Sequence, residues 1–135
     1  MSIGSRDAAE QAMNSPRNAG GNMSTPGFFV ETYMDAVTAH AGGGQTTGYP
    51  ITTQIARVTT VASAGDSVLL PLAVAGNSIT VANAAAANSL NVFPGVGDAI
   101  NALAVNAAYA LAAGKTVTFF CVSDAPAVWH ALLSA

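Results

Sequence analysis

The chain has 135 residues, of which 51% are hydrophobic and only 8% charged, with a formal net charge of −3. That length suits one domain with at most an additional arm, and the four basic residues Arg6, Arg17, Arg57 and Lys115 form no basic run, so the electrostatic footprint of a nucleic-acid or membrane-surface partner is missing. An ordinary soluble domain is about 25% charged; the shortfall implies that other protein chains cover much of this surface.

Residues 1–27 are polar and rich in Ala, Asn and Gly, punctuated by Pro16, Gly20, Gly21 and Pro26, and read as an extended arm. They contain no apolar run of the signal-peptide kind, so synthesis in a cytoplasm is expected. In residues 28–40, Val30, Met34 and Val37 share one helical face and Phe29, Tyr33 and Ala36 its neighbour, which favours one short amphipathic helix. The β-branched and aromatic content also permits an extended segment. Phe28, Phe29, Tyr33 and Met34 are the expected anchors to a partner, because large aromatic and Met side chains supply disproportionate contact energy; packing against their own domain is the equally weighted alternative. Ala41 to Gly48, with three successive glycines, reads as a linker. The expected organisation is therefore an arm and linker over 1–50 and a β-domain over 51–135.

In the body, Gln54 to Ala62 alternates; Val68 to Val74 is apolar and broken by Pro71; Ile79 and Val81 alternate with Thr80 and Ala82; and Leu90 and Val92 alternate with Ser89 and Asn91. Pro94, Gly95, Gly97 and Asp98 then form a turn. Ile100 to Leu111 is Ala-rich yet reads at period 2, Thr116 to Val122 is the clearest strand, and Val128 to Leu133 is the last. This spacing predicts an all-β fold, a small antiparallel β-sandwich or barrel of about seven or eight strands. Strands apolar on both faces place the second face against another subunit.

Spacing removes each catalytic or cofactor motif. Gly114-Lys115-Thr116 lacks the earlier glycine of a phosphate loop, which would fall at Tyr109, and Gly95-Val96-Gly97 lacks the third glycine of a dinucleotide loop. His40, His130 and Cys121 are too scattered for a metal site, Asp66 and Asp98 sit in glycine turns where they bond their own backbone, and no Gly-x-Ser-x-Gly elbow occurs. Neither enzyme activity nor a cofactor is expected.

The order of Ala64 to Pro71, Gly76 to Asn83, Ser89 to Pro94, Gly97 to Asn101, Leu111 to Gly114 and Trp129 resembles small β-domains of tailed-bacteriophage virion proteins, notably head-decoration (cement) and head-fibre proteins. The resemblance implies a jelly-roll-like, non-enzymatic virion protein, commonly a homotrimer, bound to the major capsid protein on the outside of the head. Phe28, Phe29, Tyr33 and Met34 would then clamp the shell. The alternative it leaves open is a fibre or adhesin module that touches host glycan through Pro94 to Asp98 or Ser123 to Ala127; a small lyase or hydrolase is disfavoured.

Overall fold

The computed structural model describes residues 32–135. The described residues are all-β, with ten strands: β1 (Tyr33–Thr38), β2 (Tyr49–Pro50), β3 (Ile55–Thr60), β4 (Ser67–Leu69), β5 (Ser78–Asn83), β6 (Leu90–Phe93), β7 (Ala99–Ile100), β8 (Tyr109–Leu111), β9 (Thr116–Asp124) and β10 (Ala127–Leu133). They form a six-stranded sheet, β1-β3-β5-β9-β10-β7, and a four-stranded sheet, β2-β4-β6-β8.

From β1 to β9 the chain changes sheet at every connection. Up to β6 each return to a sheet arrives in the same direction, so β1, β3 and β5 run parallel, as do β2, β4 and β6. Parallel neighbours need a crossover; here the crossover is a strand of the other sheet, which makes the first six strands a flattened coil. Antiparallel pairing appears only where β8 meets β6 and β9 meets β5 and β10. The expected antiparallel order is thus corrected: five of the eight pairings are parallel. Turn residues mark where a chain reverses, but not whether the next strand joins the same sheet or the facing one.

The interior follows the predicted alternation. Ala56 and Val58, Ile79 and Val81, Leu90 and Val92, and Val117, Phe119 and Cys121 point inward, around a fully buried Trp129. The asparagine Asn83 is buried among them with its amide satisfied: Nδ2 donates to the carbonyls of Asn88 (3.1 Å) and Leu111 (2.9 Å), and Oδ1 accepts the Ala85 amide (3.2 Å).

Three local expectations change. Over its described part the 28–40 helix is a strand, since Tyr33–Thr38 pairs with β3. The register shifts between Met34 and Val37, where Ala36 takes a φ of 55°, so the bulge turns both side chains inward at a spacing of three. That spacing imitates a helical face. Second, the glycine-rich stretch packs on the body: a Cβ on Gly43 would lie 2.8 Å from the Gly65 carbonyl oxygen, and one on Gly48 would lie 3.0 Å from the Val68 backbone. Residues expected to form an arm and linker thereby supply the edge strand of each sheet. Third, Ile100 to Leu111 is not one strand; residues between β7 and β8 turn through the positive φ angles of Asn101 and Asn106.

Candidate functional site

The outer face of the six-stranded sheet is the most distinctive surface. Strand register aligns Tyr33, Ile55, Thr80, Thr118 and Leu132 in one row across five strands. Their neighbours in sequence, Met34, Ala56, Val81 and Val117, turn to the core, so alternation drives this row outward. Tyr33 and Leu132 at its ends are 72% and 65% exposed. In the middle the Thr80 and Thr118 hydroxyls bond each other at 2.9 Å, one donating and the other accepting, which satisfies part of their hydrogen-bonding capacity.

The next row holds Ser78, Phe120 and His130, with Phe120 at its centre and 41% exposed. Val122 follows at the β9–β10 register shift, 60% exposed. On the other side of the first row, Arg57 lies against Ala82 and Thr116, and its guanidinium donates to Asp35 at 2.7 Å. That hydrogen bond holds the Asp35 carboxyl below its ordinary pKa, helped by the Ala36 amide. The two charges offset each other.

A second apolar surface lies at one end of the sheets. Because β4 and β6 run parallel, the segments after them leave the four-stranded sheet together, bearing exposed Leu72, Val74 and Val96. Asn106 ties the following loop to this end: its amide donates to the Asp98 carbonyl at 2.8 Å and its Oδ1 accepts the Gly97 amide at 2.7 Å. Exposed Val105 is its neighbour.

The four proposed anchors separate. Tyr33 is exposed, Met34 packs against the core, and Phe28 and Phe29 lie outside the described residues. Among the chemically versatile side chains, Asp66 is buried and holds backbone, its Oδ1 accepting the Gly42 amide (3.1 Å) and its Oδ2 the Ser63 amide (3.0 Å). Burial pushes the Cys121 thiol up in pKa and does the same to the Asp98 carboxyl. Among the described residues, no group of three or more His, Cys, Asp or Glu side chains could hold a metal ion.

An open depression of about 540 Å³ is lined by Asn101, Ala102, Leu103, Ala108, Tyr109 and Ala110. Its polar groups are already engaged in part: Asn101 Oδ1 accepts the Ala131 amide at 2.9 Å, and the Tyr109 ring meets Phe119 edge-on at 5.5 Å. The outward row of β9 was visible in sequence as the second face of an apolar strand. Its alignment with Tyr33, Ile55 and Leu132 was not, because those residues come from three other strands. No family model, curated protein or solved structure matches the chain.

Proposed function

We propose that the chain is a non-enzymatic capsid decoration protein of the tailed-phage kind, which binds the outer surface of the head and stabilises it. The observation that carries this reading is the pairing of an apolar, internally neutralised sheet face with a separate set of exposed apolar loop residues, Leu72, Val74, Val96 and Val105. A protein that coats a shell needs two such surfaces, one for the shell and one for its neighbours. Phe28, Phe29 and Tyr33 remain the proposed shell anchors, while Met34 secures β1 from inside. Binding to the assembled shell and not to its separated subunits stabilises the shell by mass action.

The test is to add the purified full chain to phage heads that lack a decoration protein, then to measure co-sedimentation, heat release of DNA and the bound positions by electron microscopy. Occupancy of many symmetry-related head positions with greater heat tolerance is expected. Binding only at the tail would refute the proposal.

A head- or tail-fibre adhesin that contacts host glycan is the second reading. It draws support from the depression, whose lining includes both Tyr109 and Asn101, the aromatic and polar residue types a sugar site uses. The prior engagement of both side chains ranks it lower. Glycan-array binding that is lost in Tyr109→Ala would reverse the order.

A further inference from the structure

We infer that the outer face of the six-stranded sheet is a self-complementary interface, which pairs with the same face of a second copy about a two-fold axis. The row Tyr33, Ile55, Thr80, Thr118, Leu132 carries large side chains at its ends and the small Thr80 and Thr118 at its centre; the adjacent row carries Phe120 at its centre, between Ser78 and His130. One row is a trough and the other a ridge. A half-turn that lays the ridge of each copy over the trough of the other seats Phe120 against the partner's Thr80 and Thr118, and symmetry makes the contact twice. Such reciprocal matching is what an isologous interface requires.

Charge and size agree with this occupant. The Asp35 and Arg57 charges are closed on each other at 2.7 Å, which limits like-charge repulsion between two copies, and the Thr80–Thr118 hydrogen bond gives each hydroxyl one partner within its own chain. The six strands, of 6, 6, 6, 9, 7 and 2 residues, at about 4.8 Å spacing and about 3.3 Å rise give a footprint of roughly 570 Å² per copy before side-chain relief. The pair therefore buries about 1,100 Å², just above the roughly 1,000 Å² that a specific interface should clear. This pairing takes in Tyr33, one of the proposed shell anchors, so in the paired protein shell binding falls to Phe28, Phe29 and the exposed loop residues, and the two-fold differs from the threefold association that the virion resemblance implies.

Light scattering after size exclusion of the full chain at micromolar concentration tests it. The expected mass is that of two chains, and Phe120→Glu is expected to have the mass of one chain with an unchanged far-ultraviolet circular dichroism spectrum. Thr118→Phe, which fills the trough with an outward side chain and leaves the core untouched, is expected to raise the dissociation constant at least tenfold. Leu72→Glu, on the other surface, leaves the pair intact. A wild-type mass of one or three chains overturns the inference, as does a folded Phe120→Glu or Thr118→Phe that pairs as tightly as the wild type. Head binding is read separately by co-sedimentation, so loss of pairing with retained shell binding leaves the functional proposal standing.

Discussion

The buried Asp66 carboxylate accepts the Gly42 amide at 3.1 Å, across 24 residues, and so fastens the glycine-rich segment to the start of β4. The same carboxylate holds the Ser63 amide through its other oxygen. Removing it leaves two donors without their partner. Asp66→Ala should cost about 2–4 kcal/mol, from hydrogen bonds to a charged group worth about 1.5–3 kcal/mol each with partial access of water to the freed amides. Urea unfolding of the variant checks this, and a loss below 0.5 kcal/mol (about the effect of an ordinary surface change) would show the contact to be incidental.

The glycines beside it separate a packed segment from a flexible one. Gly43→Ala places a methyl 2.8 Å from a backbone oxygen at φ +73°, whereas Gly42→Ala at φ +85° meets open space. The first should cost about 2–3 kcal/mol and the second about 1 kcal/mol, the left-handed backbone penalty alone. Equal and negligible effects on the thermal midpoint would return this stretch to the status of a linker.

Asn83 should be intolerant of an isosteric apolar replacement. Asn83→Leu strands the Ala85 amide and removes two donors from the Asn88 and Leu111 carbonyls, which predicts a loss of about 2–4 kcal/mol at unpaired-group costs of about 1–3 kcal/mol each. Chemical denaturation gives the number. Hydrogen exchange at Ala85 should quicken in parallel.

Asp98 makes a pH-dependent contribution of opposite sign to a salt-bridged carboxylate. Burial raises its folded pKa above the ordinary 3.8, so the folded state takes up the proton first as pH falls. Stability from this group rises as pH drops through the folded pKa and is fully regained below the unfolded value. Asp98→Asn should therefore be more stable than the wild type at neutral pH, with the difference closing in acid. Asp35, lowered chiefly by its hydrogen bond from Arg57, acts the other way: its contribution is present above 3.8 and is lost as pH falls through its depressed folded pKa. Urea midpoints of Asp98→Asn and Asp35→Asn across the acid range distinguish the two signs.

Ala36 at φ 55° sits in the left-handed region without being glycine. Its amide is held by Asp35 Oδ1 at 2.7 Å, which fixes the bulge despite the strain. Ala36→Gly should stabilise the fold by about 0.5–1 kcal/mol, the left-handed penalty of about 1–2 kcal/mol less glycine's greater chain entropy. A lowered thermal midpoint would contradict this.

The sequence pattern was enough to place β3, β5, β6, β9 and β10 and, in β3, β5, β6 and β9, to sort side chains onto two faces, because a strand's period of two is a local property. That Val117, Phe119 and Cys121 share one side and Thr118 and Phe120 the other could be read from seven consecutive residues; the structure shows the first side to be the buried one. The 33–38 strand was hidden for an equally local reason. A bulge between Met34 and Val37 rewrote its period as three, and only the pairing with β3 shows it to be extended. Likewise, three glycines in succession report low packing by composition, yet Gly43 is glycine because another backbone passes within contact distance.

By itself, then, the sequence determined an all-β body, the sorting of its strand residues onto two faces, the turn chemistry at Asp66, and a charge content too low for an ordinary free surface. Only the tertiary structure decided that successive strands cross to the facing sheet and so run parallel, and that Tyr33, Ile55, Thr80, Thr118 and Leu132 share one outward row beside Phe120. The reason is physical: pattern along a chain records which face of a strand meets the core, whereas a surface assembled from five strands depends on register between segments up to about a hundred residues apart, which backbone hydrogen bonding sets only on folding.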